Sequence, residues 1–104
     1  MFLVVFRSRK RDGIDYAAYE ALAARMVELA RDQPGYISFK SYTADDGEVV
    51  AISEWADEAS ARGWGLVEEH RAAQQDGRAR WYAGYTLFAC ANPRIHEFST
   101  EDKE

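Results

Sequence analysis

The chain has 104 residues, 47% apolar, 13% aromatic and 30% charged, a composition that excludes a disordered or low-complexity polypeptide and fits one folded domain. Its formal charge of −5 argues against nucleic acid as a partner, because phosphate-backbone binding needs a clustered positive face that releases counterions. No stretch approaches the roughly 20 apolar residues of a membrane span, and Cys90 is the single cysteine, so a cytoplasmic protein with no membrane attachment and no internal disulfide is expected.

Phe2–Phe6 is short, β-branched and aromatic, the signature of a buried first strand. The basic residues Arg7, Arg9, Lys10 and Arg11 read as a solvated strand end and loop. They come after the apolar run, whereas a secretory signal places its charges first. From Asp15, a predicted N-cap, the period changes: Tyr16, Tyr19, Leu22, Ala23, Met26, Leu29 and Ala30 recur every three or four residues, an amphipathic helix that Pro34-Gly35 stops. Tyr36–Thr43 and Glu48–Trp55 read as strands joined by a tight hairpin at Asp45-Asp46-Gly47. Asp57 or Ser60 caps a second helix running to about Gln74, weakened by Gly63 and Gly65. Asp76-Gly77 breaks it, Trp81–Ala91 forms a fourth strand, and Asn92-Pro93 ends that strand.

The order β-α-β-β-α-β is that of the ferredoxin-like fold: an α+β domain with an antiparallel four-stranded sheet and both helices on one face. Residues 1–98 are assigned to this single domain and 99–104 to a charged C-terminal tail that frays. Strand 4 alternates Tyr85, Leu87 and Ala89 against Gly84, Thr86, Phe88 and Cys90, so neither side is polar enough to be left in water. A second copy covers the helix-free face economically, giving a homodimer with its sheets face to face.

Chemistry concentrates in residues 64–82. His70 can take a proton near neutral pH, or it can be hydrogen-bonded between helix and sheet. Gln74, one turn on, shares its face. Trp64 lies about 120° from His70 on a straight helix and reads as packing unless the glycines distort that helix. Arg78 can hold an oxyanion by a charge-assisted hydrogen bond or form a salt bridge. Trp81, Tyr82 and Tyr85 form an aromatic wall for a flat ligand or part of the core and interface, and Tyr19 fits the apolar stripe of the first helix. His96 has no second histidine or cysteine at metal-ligand spacing, so no metal is expected.

Pro34-Gly35-Tyr36, the hairpin at Asp46-Gly47, Glu54-Trp55, and Trp64-x5-His70-x3-Gln74-x2-Gly77-Arg78-x2-Trp81-Tyr82 together resemble the antibiotic biosynthesis monooxygenase family of small dimeric α+β barrel proteins. The resemblance extends over most of Phe2–Phe98. It implies a cofactor-independent monooxygenase that deprotonates a small phenolic, anthrone or quinol-type substrate and lets its carbanion react with O2, with neither metal nor flavin. His70, Arg78 and Gln74 would then be catalytic, and Trp64, Trp81, Tyr82 and Tyr19 would bind the aromatic substrate. The alternative is a non-catalytic dimeric ligand-binding or interaction module. Haem-degrading members place an iron-binding histidine ten positions after a tryptophan and an asparagine on the first strand. Here the residue ten positions after Trp64 is Gln74, and Phe2–Ser8 contains no asparagine, so haem is not the expected ligand.

Overall fold

A computed structural model describes residues 1–101, the side chains of residues 68 and 69 aside. The expected tail 99–104 therefore lies partly outside the described residues. Strands β1 (Phe2–Lys10), β2 (Tyr36–Thr43), β3 (Val49–Trp55) and β4 (Tyr82–Ala91) form one antiparallel sheet in the order β2-β3-β1-β4. Helices α1 (Tyr16–Arg31), α2 (Glu58–Gly65) and α3 (Glu68–Asp76) complete the ferredoxin-like domain. The Asp15 carboxylate accepts from the Ala18 N–H and caps α1, as the sequence predicts. In the hairpin Gly47 takes φ +91°, the left-handed geometry for which Asp-Gly is suited.

Strand pairing sorts the side chains. Phe2, Val4, Phe6 and Ser8 of β1 share a face with Trp55, Ser53, Ala51 and Val49 of β3, and with Ala91, Ala89, Leu87 and Tyr85 of β4. On that side Phe2, Trp55 and Ala30 of α1 form the buried core, and Val4, Tyr36, Ala61 and Trp64 pack around it. Trp55 is 1% exposed, and its indole N–H donates to Ser53 Oγ at 3.1 Å. The other face presents Val5, Ile52, Phe88 and Tyr42, with no helix over it among the described residues.

Three expectations need correction. The first strand does not stop at Phe6: β1 continues through the basic residues to Lys10, because its ladder with β4 runs on to Arg9 opposite Gly84 and Lys10 opposite Tyr82, while Arg7 and Arg9 pair with Glu48 and Asp46 on the hairpin at 3.2 and 2.7 Å and Arg11 follows in the loop. The second helix is two helices, broken at Leu66-Val67 beside the two weakening glycines, with Val67 extended (ψ 127°) ahead of α3. Nor does Gly77 break the chain's helical course. It has φ −56° and ψ −50°, and Gly77–Trp81 continues as a π-turn, so β4 starts at Tyr82 rather than Trp81. The reason for glycine there is space, since a Cβ would lie 2.6 Å from Cε2 of Tyr82.

Gly35 is more constrained still. Its φ is +80°, and a Cβ would overlap Ser60 Oγ and lie 2.5 Å from Ser60 Cβ, while Ser60 is the residue whose N–H is capped by Asp57 at the start of α2. Gly35→Ala is expected to destabilise the fold by roughly 2–4 kcal/mol, the sum of left-handed backbone strain and overpacking. A urea denaturation midpoint within error of the wild type would contradict this.

Candidate functional site

The helix side of the sheet carries two aromatic groups. At the end of the sheet where β1 begins, Trp55 stacks on Trp64 with ring centroids 6.4 Å apart, and Trp64 stacks on His70 at 4.0 Å with 12° between planes. The break between α2 and α3 produces this contact. A straight helix would hold residues 64 and 70 about 120° apart, whereas the turn at Leu66-Val67 folds His70 back over Trp64. His70 Nδ1 lies 2.9 Å from the Trp64 carbonyl oxygen. A carbonyl only accepts, so Nδ1 carries the proton and donates, leaving Nε2 as the basic nitrogen of the neutral ring. Burial holds the imidazole below its ordinary pKa of 6.5, an effect only partly opposed by the Trp64 carbonyl.

The second group lies toward the hairpin, where β1 ends and β4 begins. Tyr82 meets Phe6, Tyr85 and Tyr19 edge to face, and Tyr19 also meets Trp81. The Tyr19 and Tyr82 hydroxyls are 3.4 Å apart, longer than the 2.7–2.8 Å typical of an O–H···O bond, so each retains hydrogen-bonding capacity for a third oxygen. Burial, ahead of the bond to Tyr19, pushes the Tyr82 phenol far above its usual range; it is a donor that stays protonated. Arg78 reaches the Tyr85 hydroxyl at 3.5 Å, and the Lys10 ammonium sits 4.6 Å over the Tyr19 ring.

Of the residues singled out in the sequence, the fold therefore brings Trp64 to His70, and Tyr19 to Trp81 and Tyr82. Arg78 stands beside Tyr85 rather than His70. Gln74 is exposed, and no hydrogen bond joins it to His70 among the described residues. An open cleft of about 550 Å³ between the hairpin and the start of α1 is walled by Lys10, Tyr16, Tyr19, Thr43 and Val49. Neither His70 nor Trp64 lines it. Along β4, Tyr85 and Leu87 are 43% and 51% exposed on the helix side, so the helices leave an apolar margin beside Phe6 open to a flat molecule. Sequence reasoning missed Phe6 and Leu87 as parts of this wall. Phe6 ends a continuous apolar run and Leu87 lies in a strand apolar on both sides, which is equally the signal of a filled core.

Among the described residues no group of three or more His, Cys, Asp or Glu is placed to hold a metal ion, and no helix is long and apolar enough to cross a membrane.

The fold has counterparts among known proteins. Residues 1–76 match the family model described as antibiotic biosynthesis monooxygenase, and the chain belongs to that family. It is 35% identical over 86 residues to the uncharacterized protein YqjZ of Bacillus subtilis, a match covering 83% of this chain and 74% of the relative. Among solved structures it resembles Rv0793 from Mycobacterium tuberculosis, with a TM-score of 0.78, 18% identity, and 94% and 98% of the two chains covered. It also resembles SnoaB, a cofactor-independent oxygenase from Streptomyces nogalater, with a TM-score of 0.69, 18% identity and 97% of each chain covered. At these identities the structural likeness establishes the shared fold.

Proposed function

We propose that the protein is a cofactor-independent monooxygenase of a small phenolic, anthrone or quinol-type aromatic. The observation that carries the reading is His70, held neutral by burial with Nδ1–H committed to the Trp64 carbonyl and Nε2 left to accept a proton. Membership of the monooxygenase family and the fold shared with a cofactor-independent oxygenase support it. Nε2 takes the acidic proton of the substrate, the resulting carbanion gives up electrons to O2, and the peroxide formed on that carbon loses water. A CH2 group thus becomes a carbonyl, with one oxygen atom retained and the other released as water. On a polycyclic substrate that reaches from His70 to the hairpin end of the sheet, Arg78, the protonated phenol of Tyr82 and the Tyr85 hydroxyl supply donors for the developing oxyanion. Trp64 holds the ring beside His70, Tyr19 meets the substrate at the hairpin end with the buried Trp81 packed behind it, and Gln74, exposed on α3, joins only if the ligand reaches that face.

The test is incubation with anthrones and hydroquinones, aerobic and anaerobic, with product followed by mass spectrometry. Mass gain of one oxygen atom and loss of two hydrogens, dependent on O2, is expected. One observation favours a second reading, a non-catalytic ligand-binding module: His70 is stacked and hydrogen-bonded, while the open cleft is walled by other residues. Saturable binding with no product from any substrate would favour the module.

The same proposal includes a cytoplasmic homodimer. Tyr42 and Phe88 are exposed on the helix-free face, and Ile95 and Phe98 protrude beyond β4, Phe98 being 84% exposed. A second copy covers such a surface in an interface on the order of 2,000 Å² or more. Sedimentation equilibrium at micromolar concentration should give twice the chain mass, and a monomer there would refute it.

A further inference from the structure

The π-turn is the least ordinary piece of backbone in the molecule, and one distant residue braces it. Single π-turns are rare and concentrate where a helix must place side chains for function. Here the turn carries Arg78 within it and delivers Tyr82 directly after it, and the Tyr82 N–H closes it onto the Gly77 carbonyl. It also buries Trp81 to 5% exposure with an indole N–H that has no partner among the described residues, an unfavourable arrangement that something else must offset.

Arg11 makes three hydrogen bonds to this segment. Its backbone N–H donates to the Trp81 carbonyl at 2.8 Å, its Nε to the Tyr82 carbonyl at 3.0 Å, and a terminal guanidinium nitrogen to the Arg78 carbonyl at 2.7 Å. The side chain thus fastens two carbonyls, four residues apart, with the fixed fork of one guanidinium. The adjacent register shift between Arg9 and Lys10, where Lys10 pairs with Tyr82, aims Arg11 at the turn.

We propose that Arg11 is the positioning residue of the candidate site, holding the π-turn so that Arg78 points at Tyr85 and Tyr82 at Tyr19. The inference rests on reading those side chains as the ligand's hydrogen-bonding wall. Without the brace the turn relaxes toward an α-turn. Removing its extra residue rotates the start of β4 by about 100°, which parts the Tyr19 and Tyr82 hydroxyls.

The experiment compares wild type, Arg11→Ala and Arg11→Lys. Amide hydrogen exchange over residues 77–82 reads the turn, near-ultraviolet circular dichroism reads the Tyr and Trp cluster, and a hydroquinone titration reads the site. In Arg11→Ala, exchange at the Tyr82 amide is expected to accelerate at least about ten-fold, the effect of losing one net hydrogen bond, and the aromatic dichroism to change with it. Arg11→Lys keeps the charge but not the fork. It should recover the melting temperature without recovering the dichroism or the hydroquinone affinity. Unchanged exchange or unchanged aromatic dichroism in Arg11→Ala overturns the proposal, and so does hydroquinone affinity per folded molecule equal to wild type, which would make Arg11 a structural brace alone. A wild type that binds no hydroquinone, with both spectroscopic effects present, supports the orienting role of Arg11 and refutes the phenol-binding reading instead.

Discussion

His70→Ala is expected to lower the rate of oxygenation by roughly 10²–10⁴-fold, the usual contribution of a positioned general base, while leaving the sheet intact. The pH profile carries the sharper prediction. The free imidazole titrates at 6.5, but burial against Trp64 lowers the folded value. The acid limb of the wild-type rate should therefore fall below pH 6.5. A composition-based expectation would place it at 6.5 itself. Stability has the same sign: because the folded pKa is lowered, the contribution of the neutral ring is fully present above 6.5 and is lost as pH falls through the folded value. Turnover by His70→Ala at the wild-type rate would return His70 to packing and capping, where its bond to the Trp64 carbonyl at the end of α2 already gives it a role.

Trp55→Ala is the largest expected effect on the fold. Trp55 is fully buried, stacks on Trp64, meets Tyr36 edge to face and closes the core against Phe2 and Ala30. Truncating a buried tryptophan costs about 3–5 kcal/mol, against the 5–15 kcal/mol that holds a typical domain together. The urea midpoint should drop accordingly, and substrate affinity should fall in the molecules that remain folded, because Trp64 and His70 lose the surface on which they stack. Trp55→Phe should recover most of the stability. An unchanged midpoint in Trp55→Ala would show that this end of the domain does not depend on the Trp55–Trp64–His70 stack.

Family membership was legible from residues spread along the chain, and the structural neighbours bear out the ferredoxin-like fold. The site was legible only in part. His70 and Trp64 were visible as chemistry but stood on different sides of an assumed straight helix. The two glycines warned of a break without giving its angle, and the angle is what stacks one ring on the other. Arg78 and His70 fall in one sequence window, yet α3 separates them by roughly 12 Å of helix axis. Arg11 lies 67 residues from Arg78, beyond any local pattern.

By itself the sequence determined what local physics controls. The Asp15 cap, the Asp46-Gly47 hairpin and the change of hydrophobic period from two to 3.6 each depend on a few neighbouring residues, and together they specify the element order. The tertiary structure alone decided which of the chemical residues meet. Which side of a ring is buried, which carbonyl receives the Arg11 guanidinium, and why Gly77 must lack a side chain are all set by groups brought together in space. Their contact energies appear only once the sheet has brought β1 against β4, because packing and desolvation depend on distance in space and not along the chain.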